Sequence, residues 1–236
     1  MRVIVVGGGM AGLTLARGLA HRGIEPLVIE RMPAGVEVEG PIMLPFQAYD
    51  ALEEVGLLGG LLADGTKVPP VRDGRPVAIG VGRQVVLERL RQGLDVRFDH
   101  EVIGLLRSGD RVAGVRVRGP EGEREVPADI VVGADGTQSG VRDLAGIDAV
   151  LTLSDTAFVG FRSPVRGPEP FLIHFTGDGR QLTLLDWPGG SAGGWQIDRP
   201  AGGAEVALAP GVETFKRAYL RLMPAAADAI APVEEL

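Results

Sequence analysis

The chain has 236 residues, a formal charge of −7, three histidines and no cysteine. That length can bury a real core in one large or two modest domains. Without cysteine there are no disulfides, no thiolate catalysis and no Cys-ligated zinc. Three histidines argue against a His-rich metal site, and the absence of a Lys/Arg cluster argues against nucleic acid. No apolar run is long enough for a membrane span, and the start lacks the features of an export signal, so a soluble cytoplasmic protein is expected.

The first thirty residues carry the strongest pattern. Val3–Val6 is a short β-branched run, as a buried parallel strand requires. It ends in Gly7-Gly8-Gly9-Met10-Ala11-Gly12, a G-x-G-x-x-G. Leu13, Leu15, Ala16, Leu19 and Ala20 then recur at helical spacing, up to His21-Arg22-Gly23, a basic last turn with a glycine stop. A second apolar run, Pro26–Ile29, ends in Glu30. Gly7 serves the sharp turn, Gly9 the approach of a pyrophosphate to the backbone, and Gly12 the close packing of helix on strand. The free N–H groups at the helix start then face the phosphates. Glu30 is placed to accept hydrogen bonds from a ribose. The ordered succession of strand, glycines, helix, strand and acid identifies a dinucleotide site where a lone glycine motif would not.

Further on, Arg31 to Gly40 reads as a loop and Phe46 to Leu58 as one helix closing near Gly56 or Gly59-Gly60. Asp64 to Gly80 should hold turns and edge strands. Gln84 to Arg91 is a helix with Arg83 at its start. Asp95–Phe98 and Glu101–Leu106 are strands, and Arg111–Arg118 with Glu123–Val126 makes a β-meander turned at Gly119-Pro120-Glu121-Gly122. Asp129–Val132 is expected to be a buried strand running into Gly133-Ala134-Asp135-Gly136, followed by a helix over Ser139–Ala145. Asp135, at a strand end, can hold a ribityl or ribose hydroxyl; Gly136 permits close approach; Ser139 can cap the helix. Arg142 is expected on Asp135 or a pyrophosphate. After Ile147 the texture changes to strand-like runs Thr156–Arg162, Phe171–Thr176, Gln181–Trp187 and Gly194–Ile197, then, after Pro210-Gly211, a helix over Val212–Met223 stopped by Pro224. The fold class is α/β, with a Rossmann-like domain over 1–150 and a mostly antiparallel β domain over 151–236. His174 reads as a surface or packed residue, and Trp187 and Trp195 as sheet packing.

Glu30-Arg31 together with Asp129–Arg142, DIVVGADGTQSGVR, resembles the single-component FAD-dependent aromatic hydroxylases built like p-hydroxybenzoate hydroxylase. Asp135, Gly136, Ser139 and Arg142 match the family's second motif. Gly40–Pro45 with Leu52 and Gly56-Leu57, Arg83 with Val86 and Leu90, and Gly194–Ile197 are weaker matches. The resemblance implies a monooxygenase using FAD, NAD(P)H and O2 on an aromatic or polyketide-like small molecule. The implied cofactor residues are Gly7, Gly9, Met10, Ala11, Gly12, Glu30, Arg31, Arg83, Val102, Asp135 and Gly136. In that resemblance Arg83 reaches the phosphates, the Val102 backbone lies by the adenine and Arg31 faces the adenosine part. No catalytic side chain and no metal ligand stands out.

The family's third motif, a later Gly-Asp, has no counterpart: Gly109-Asp110 and Gly177-Asp178 sit in turns with nothing suitable after them. The chain thus reads as the N-terminal portion of the fold: a truncated gene, a partial chain or a natural short form. Either a homo-oligomer or a partner that completes the flavin site fits that reading. Alternatives are a non-catalytic flavin-binding remnant, or a flavin-dependent reductase or halogenase on the same scaffold. The halogenase pattern finds only Trp195 and Ile197. The DGxxSxxR stretch argues against a nicotinamide-only dehydrogenase.

Overall fold

A computed structural model describes residues 1–36, 40–72, 75–150, 152, 154–199 and 211–236. The chain divides into two compact units. The first holds 1–38, 51–57 and 84–150; the second holds 39–50, 58–83 and 151–236. Two inserted segments therefore join the C-terminal part, which a division at residue 150 alone does not anticipate.

The first unit is built on a parallel sheet. Strand β1 (Val3–Val6) lies between β2 (Leu27–Ile29) and β10 (Ile130–Gly133), with β6 (Asp95–Arg97) beyond β2. All four residues of β1 are buried because neighbours pair on both its edges and layers cover both its faces. Helix α1 (Met10–His21) covers one face, burying Leu13 and Ala16. On the other face Ile4, Val6 and Ile29 pack with Val115, Val117 and Ala128 of the antiparallel meander. That meander is β7 (Glu101–Ser108), β8 (Arg111–Gly119) and β9 (Gly122–Pro127), in that order. The predicted glycine stop of α1 is present: Gly23 has φ +75°, and the N–H groups of Gly23 and Ile24 return to the carbonyls of Ala20 and Leu19. Helix α4 (Arg83–Arg91) forms as its pattern requires and buries Val86, Leu87 and Leu90. Arg17 of α1 donates to the carbonyls of Arg89 and Gln92, satisfying orphan acceptors at the α4 C-terminus.

Strand β10 departs from expectation. It is not buried: Ile130 is 44% exposed and no residue of the strand is fully covered. The reason is its place at the sheet edge, paired among the described residues with β1 alone. An apolar run does not disclose whether one or both of its edges will be paired.

The predicted helix over Phe46–Leu58 forms in two pieces and closes at Gly56, one of its two predicted stops, with a separate helix after it. A 3-10 turn at Phe46–Ala48 leads into α2 (Tyr49–Glu54), and a left-handed Gly56 (φ +73°) ends it. Helix α3 (Leu58–Asp64) follows and buries Leu58 and Leu61 despite Gly59-Gly60. Tertiary burial outweighs the glycine propensity cost there.

In the second unit, β3 (Pro41–Pro45), β5 (Arg75–Gly82) and β4 (Thr66–Arg72) form a small antiparallel sheet in that order. A larger antiparallel sheet runs β11 (Thr156–Ser163), β14 (Gly190–Asp198), β13 (Gln181–Trp187), β12 (Phe171–Phe175). Against one face lie α6 (Val212–Leu222) and α7 (Ala227–Ile230). Their core joins Phe161, Leu182 and Leu184 to Tyr219, Met223 and Ile230, with Trp195 packed against it. Edge-on aromatic contacts link Phe161 to Tyr219 at 5.3 Å and to Phe215 at 6.1 Å. Tyr219 donates its buried hydroxyl to the Thr183 carbonyl at 2.6 Å. His174 is exposed, as read from the sequence. Pro210, expected to precede α6, lies outside the described residues.

Candidate functional site

The glycine loop is assembled from both neighbours of β1. Gly7 donates its N–H to the Ile29 carbonyl at 2.8 Å, and Ala134 donates to the Val6 carbonyl at 2.7 Å. Gly7 sits at φ +111°, and a Cβ there would lie within 3.0 Å of the Ala134 carbonyl. Only glycine fits that turn. A Cβ on Gly12 would lie within 3.0 Å of the Gly7 carbonyl and 3.3 Å from Val5 Cγ1, so this glycine seats α1 on β1. Gly9 is different. Nothing of the protein comes within 4 Å of a Cβ placed there. The protein itself demands Gly7 and Gly12, whereas no atom of the protein requires glycine at position 9.

That space adjoins the start of α1. Gly9 is the N-cap of α1 and no side chain caps the helix, nor does its first turn contain an acid. The N–H groups of Met10, Ala11 and Gly12 are therefore the orphan donors of a twelve-residue helix, at the positive end of its dipole. Opposite them, Glu30 is held rigidly. Its backbone N–H goes to the Arg97 carbonyl at 2.9 Å and its carbonyl receives the His100 N–H at 3.0 Å. Glu30 Oε2 accepts the Gly8 N–H at 2.6 Å and Oε1 accepts the Met32 N–H at 2.8 Å. A carboxylate offers about four lone-pair directions, so each oxygen can still receive a hydroxyl. Gly8 was an unassigned position of the motif; its role as anchor of Glu30 needs the fold to be seen.

Asp135 follows β10, beside Gly7. Its Oδ1 accepts the Ser139 hydroxyl at 2.5 Å and its Oδ2 the Val141 N–H at 3.1 Å. Burial pushes its pKa up, but these hydrogen bonds outweigh burial and hold the carboxyl below the usual range. Ser139 is the N-cap of α5 (Gly140–Leu144), accepting the Arg142 N–H at 3.1 Å. One hydroxyl thus links the Asp135 carboxylate to the helix start. Gly136, at φ +93°, turns the loop and is exposed. Arg142 does not meet Asp135, the first of its two expected partners. Its Nη1 donates to the Thr137 carbonyl at 3.1 Å and its Nε lies 3.4 Å from Asp143 Oδ1. The Ser139 hydroxyl and Val141 N–H reach Asp135 first, because they lie on the adjoining turn.

The fold therefore brings together Gly7, Gly9, Met10, Ala11, Gly12, Glu30, Asp135 and Gly136 around the ends of β1, β2 and β10. Arg31 is exposed beside Glu30. Val102 lies on β7, two residues beyond the His100 N–H that meets Glu30, and its side chain packs against the meander core. Arg83 begins α4 with its N–H on the Gly40 carbonyl at 2.9 Å and belongs to the second unit. Among the described residues no cluster of three or more His, Asp or Glu side chains could hold a metal ion, and no helix is long and apolar enough to cross a membrane. The open space at Gly9, the uncapped helix and the two strand-end carboxylates fit a dinucleotide.

Comparison with known proteins bears on the same residues. The family described as FAD binding domain matches residues 1–73 and 81–174. A 3-(3-hydroxy-phenyl)propionate/3-hydroxycinnamic acid hydroxylase of Mycolicibacterium smegmatis is 30% identical over 181 residues, covering 66% of this chain and 32% of its own. The 12-dehydrotetracycline 5-monooxygenase/anhydrotetracycline 6-monooxygenase of Streptomyces rimosus is 32% identical, over 62% of this chain and 33% of its own. Digeranylgeranylglycerophospholipid reductase 1 of Methanopyrus kandleri is 31% identical, over 73% and 50%. The chain thus spans a third to a half of these relatives. Among solved structures, Pseudomonas aeruginosa PqsL in complex with 2-aminobenzoylacetate has a TM-score of 0.77 at 22% identity, over 98% of this chain and 70% of that one. The p-nitrophenol 4-monooxygenase PnpA of Pseudomonas putida has a TM-score of 0.77 at 19% identity, over 93% and 62%. These two likenesses establish the fold.

Proposed function

We propose, from the premise that the chain belongs to the FAD binding domain family, that it holds FAD and serves an FAD-dependent monooxygenase. The carrying observation is the space at Gly9 facing the orphan N–H groups of Met10, Ala11 and Gly12. In this reading those N–H groups take the pyrophosphate, and Glu30 takes a ribose hydroxyl. Asp135 and Gly136 border the path of the ribityl chain. Arg83 and Arg31 supply positive charge toward the phosphates and the adenosine, and the Val102 backbone borders the adenine. Residues 1–150 supply most of this site and 151–236 the substrate side.

Bound FAD supplies the redox chemistry, with NAD(P)H as transient reductant and O2 as co-substrate. The chain's own residues bind, orient and exclude water. The relatives' hydroxylase and monooxygenase names support an aromatic or polyketide-like small molecule as substrate. A cytoplasmic setting, where NAD(P)H is available, belongs to the same proposal, as does self-association or a partner that completes the flavin site. A flavin-dependent reductase is the second reading, favoured by the Methanopyrus kandleri relative, which covers 73% of this chain.

Titration of the purified chain with FAD, followed by flavin fluorescence and visible absorption, tests the proposal. Saturable binding, followed by substrate-stimulated NAD(P)H oxidation with matching O2 uptake, is expected. Absence of FAD binding would overturn it; NAD(P)H oxidation with substrate reduction and no O2 uptake would replace the monooxygenase by the reductase.

A further inference from the structure

Among the described residues, Asp99 alone holds a left-handed backbone without being glycine, at φ +57°. It lies between β6 and β7, against the segment that carries Glu30. Strand β2 pairs with β6 in parallel up to Ile29 and Arg97, and the Glu30 N–H extends the ladder onto the Arg97 carbonyl. An unbroken parallel ladder would next bring the N–H of residue 99 to the Glu30 carbonyl. Instead the chain steps out at Asp99, as at a β-bulge, and His100 delivers that bond at 3.0 Å. The freed Asp99 N–H goes on to the Met32 carbonyl at 3.2 Å. The 98–100 turn therefore grips the carbonyls of both Glu30 and Met32, while the Glu30 carboxylate accepts the N–H groups of Gly8 and Met32. An uncommon backbone conformation beside a binding segment is a cue to function.

The His100 ring fastens that turn. Its Nδ1 stands 2.6 Å from the Phe98 carbonyl, which can only accept, so Nδ1 carries the proton and donates. Nε2 keeps its lone pair and accepts from Arg124 Nη2 of β9 at 3.3 Å. The ring also lies against Gly119 of β8, where a Cβ would stand 2.7 Å from Cδ2 and from Nε2. Glycine at 119 serves the predicted turn and, with no side chain, also admits this ring. Resting on the reading that Glu30 takes a ribose hydroxyl, we infer that His100 is a positioning residue for Glu30. Through the Phe98 carbonyl, Arg124 and Gly119 it ties the 98–100 turn to the meander, and the turn sets where the Glu30 carboxylate stands. It acts through Glu30 and not on the ligand.

The test titrates ADP and 2′,3′-dideoxy-ADP into the full chain by calorimetry. The two probes share adenine and pyrophosphate and differ only in the ribose hydroxyls. The wild-type chain should prefer ADP about tenfold, the size expected of hydrogen bonds to a fixed carboxylate. His100→Ala should abolish most of that preference by weakening ADP and sparing the dideoxy compound. Gly119→Ala, which reaches the same ring from the meander, should do so too. His100→Asn keeps an N–H for the Phe98 carbonyl and should restore most of the preference. A variant that merely folds less well loses affinity for both probes alike, so the ratio of the two affinities reads positioning apart from stability. Wild-type ratios in His100→Ala and Gly119→Ala would overturn the inference, as would a loss in His100→Asn as deep as in His100→Ala. No preference for ADP in the wild-type chain would overturn the Glu30 reading itself, and this inference with it.

Discussion

Replacing Gly12 and Gly9 separately by alanine should split two roles that the glycine motif merges. At Gly12 the new methyl would lie within 3.0 Å of the Gly7 carbonyl oxygen and 3.3 Å from Val5 Cγ1. The first neighbour is backbone, in a turn already fixed by the Gly7 hydrogen bond to Ile29, so no flexible group can yield. Helix α1 must lift from β1, loosening the buried Leu13 and Ala16. Overpacking of this kind costs about 3 kcal/mol, or a fall in Tm of roughly 6–12 °C for a chain of this size. At Gly9 the backbone is extended, with φ −80° and ψ −176°, which alanine adopts freely, and the methyl meets nothing within 4 Å. The cost without ligand is limited to the poorer N-cap, at most about 1 kcal/mol. In the proposed FAD site the same methyl would stand where the pyrophosphate approaches the first-turn N–H groups. Losing charge-assisted hydrogen bonds there costs about 1.5–3 kcal/mol, roughly a ten- to hundredfold rise in Kd. Denaturant unfolding of the FAD-free variants and flavin fluorescence titration read the two effects apart. The reasoning fails if Gly9→Ala destabilises the free chain as much as Gly12→Ala does, or if it leaves FAD affinity untouched.

Ser139→Ala removes both the α5 cap and a hydrogen bond to Asp135, so about 1 kcal/mol of stability should go at neutral pH. Asp135 has a lowered folded pKa, so its contribution is present above about 3.8 and is lost as pH falls through the folded value. Part of the gap between wild type and variant should therefore close in acid; a gap constant from neutral pH to pH 2 speaks against the assignment. Asp186 has the opposite sign. Burial raises its pKa, although its Oδ1 accepts the Gly167 N–H at 2.8 Å. Its contribution is full below about 3.8 and is lost as pH rises through the raised value. Asp186→Asn should thus gain on wild type as pH rises from 4, measured by thermal unfolding, and a gain on acidification would contradict this. Tyr219→Phe leaves the Thr183 carbonyl without its 2.6 Å donor and should cost about 1–2 kcal/mol in denaturant unfolding, with a cost near zero refuting the role given to that hydroxyl.

Much of the site was legible because its parts are local. Gly7 through Gly12 follow β1 directly, and Glu30 ends the next strand, so spacing alone carries the unit. The Ser139 cap and the glycine stop of α1 were equally readable, since each depends on a few neighbouring residues. The direction of Arg142 was not, because several acceptors lay within reach of one long side chain and only the folded turn selects Thr137. Nor was the break of the Phe46–Leu58 helix into pieces, where the burial of Leu58 and Leu61 restarts a helix that Gly56 had ended.

By itself the sequence determined the parallel strand, the glycine turn, the helix with its uncapped start and the two carboxylates at or just past strand ends. Those features follow from side-chain size and alternation within short windows. Only the tertiary structure decided that β10 is an edge strand, that residues 39–50 and 58–83 join the C-terminal unit, and that Gly8 anchors Glu30. It also decided which glycine is which. Gly7 and Gly12 answer to atoms of Ala134 and of Gly7, brought close by strand pairing and helix packing, while nothing of the protein comes within 4 Å of a Cβ at Gly9.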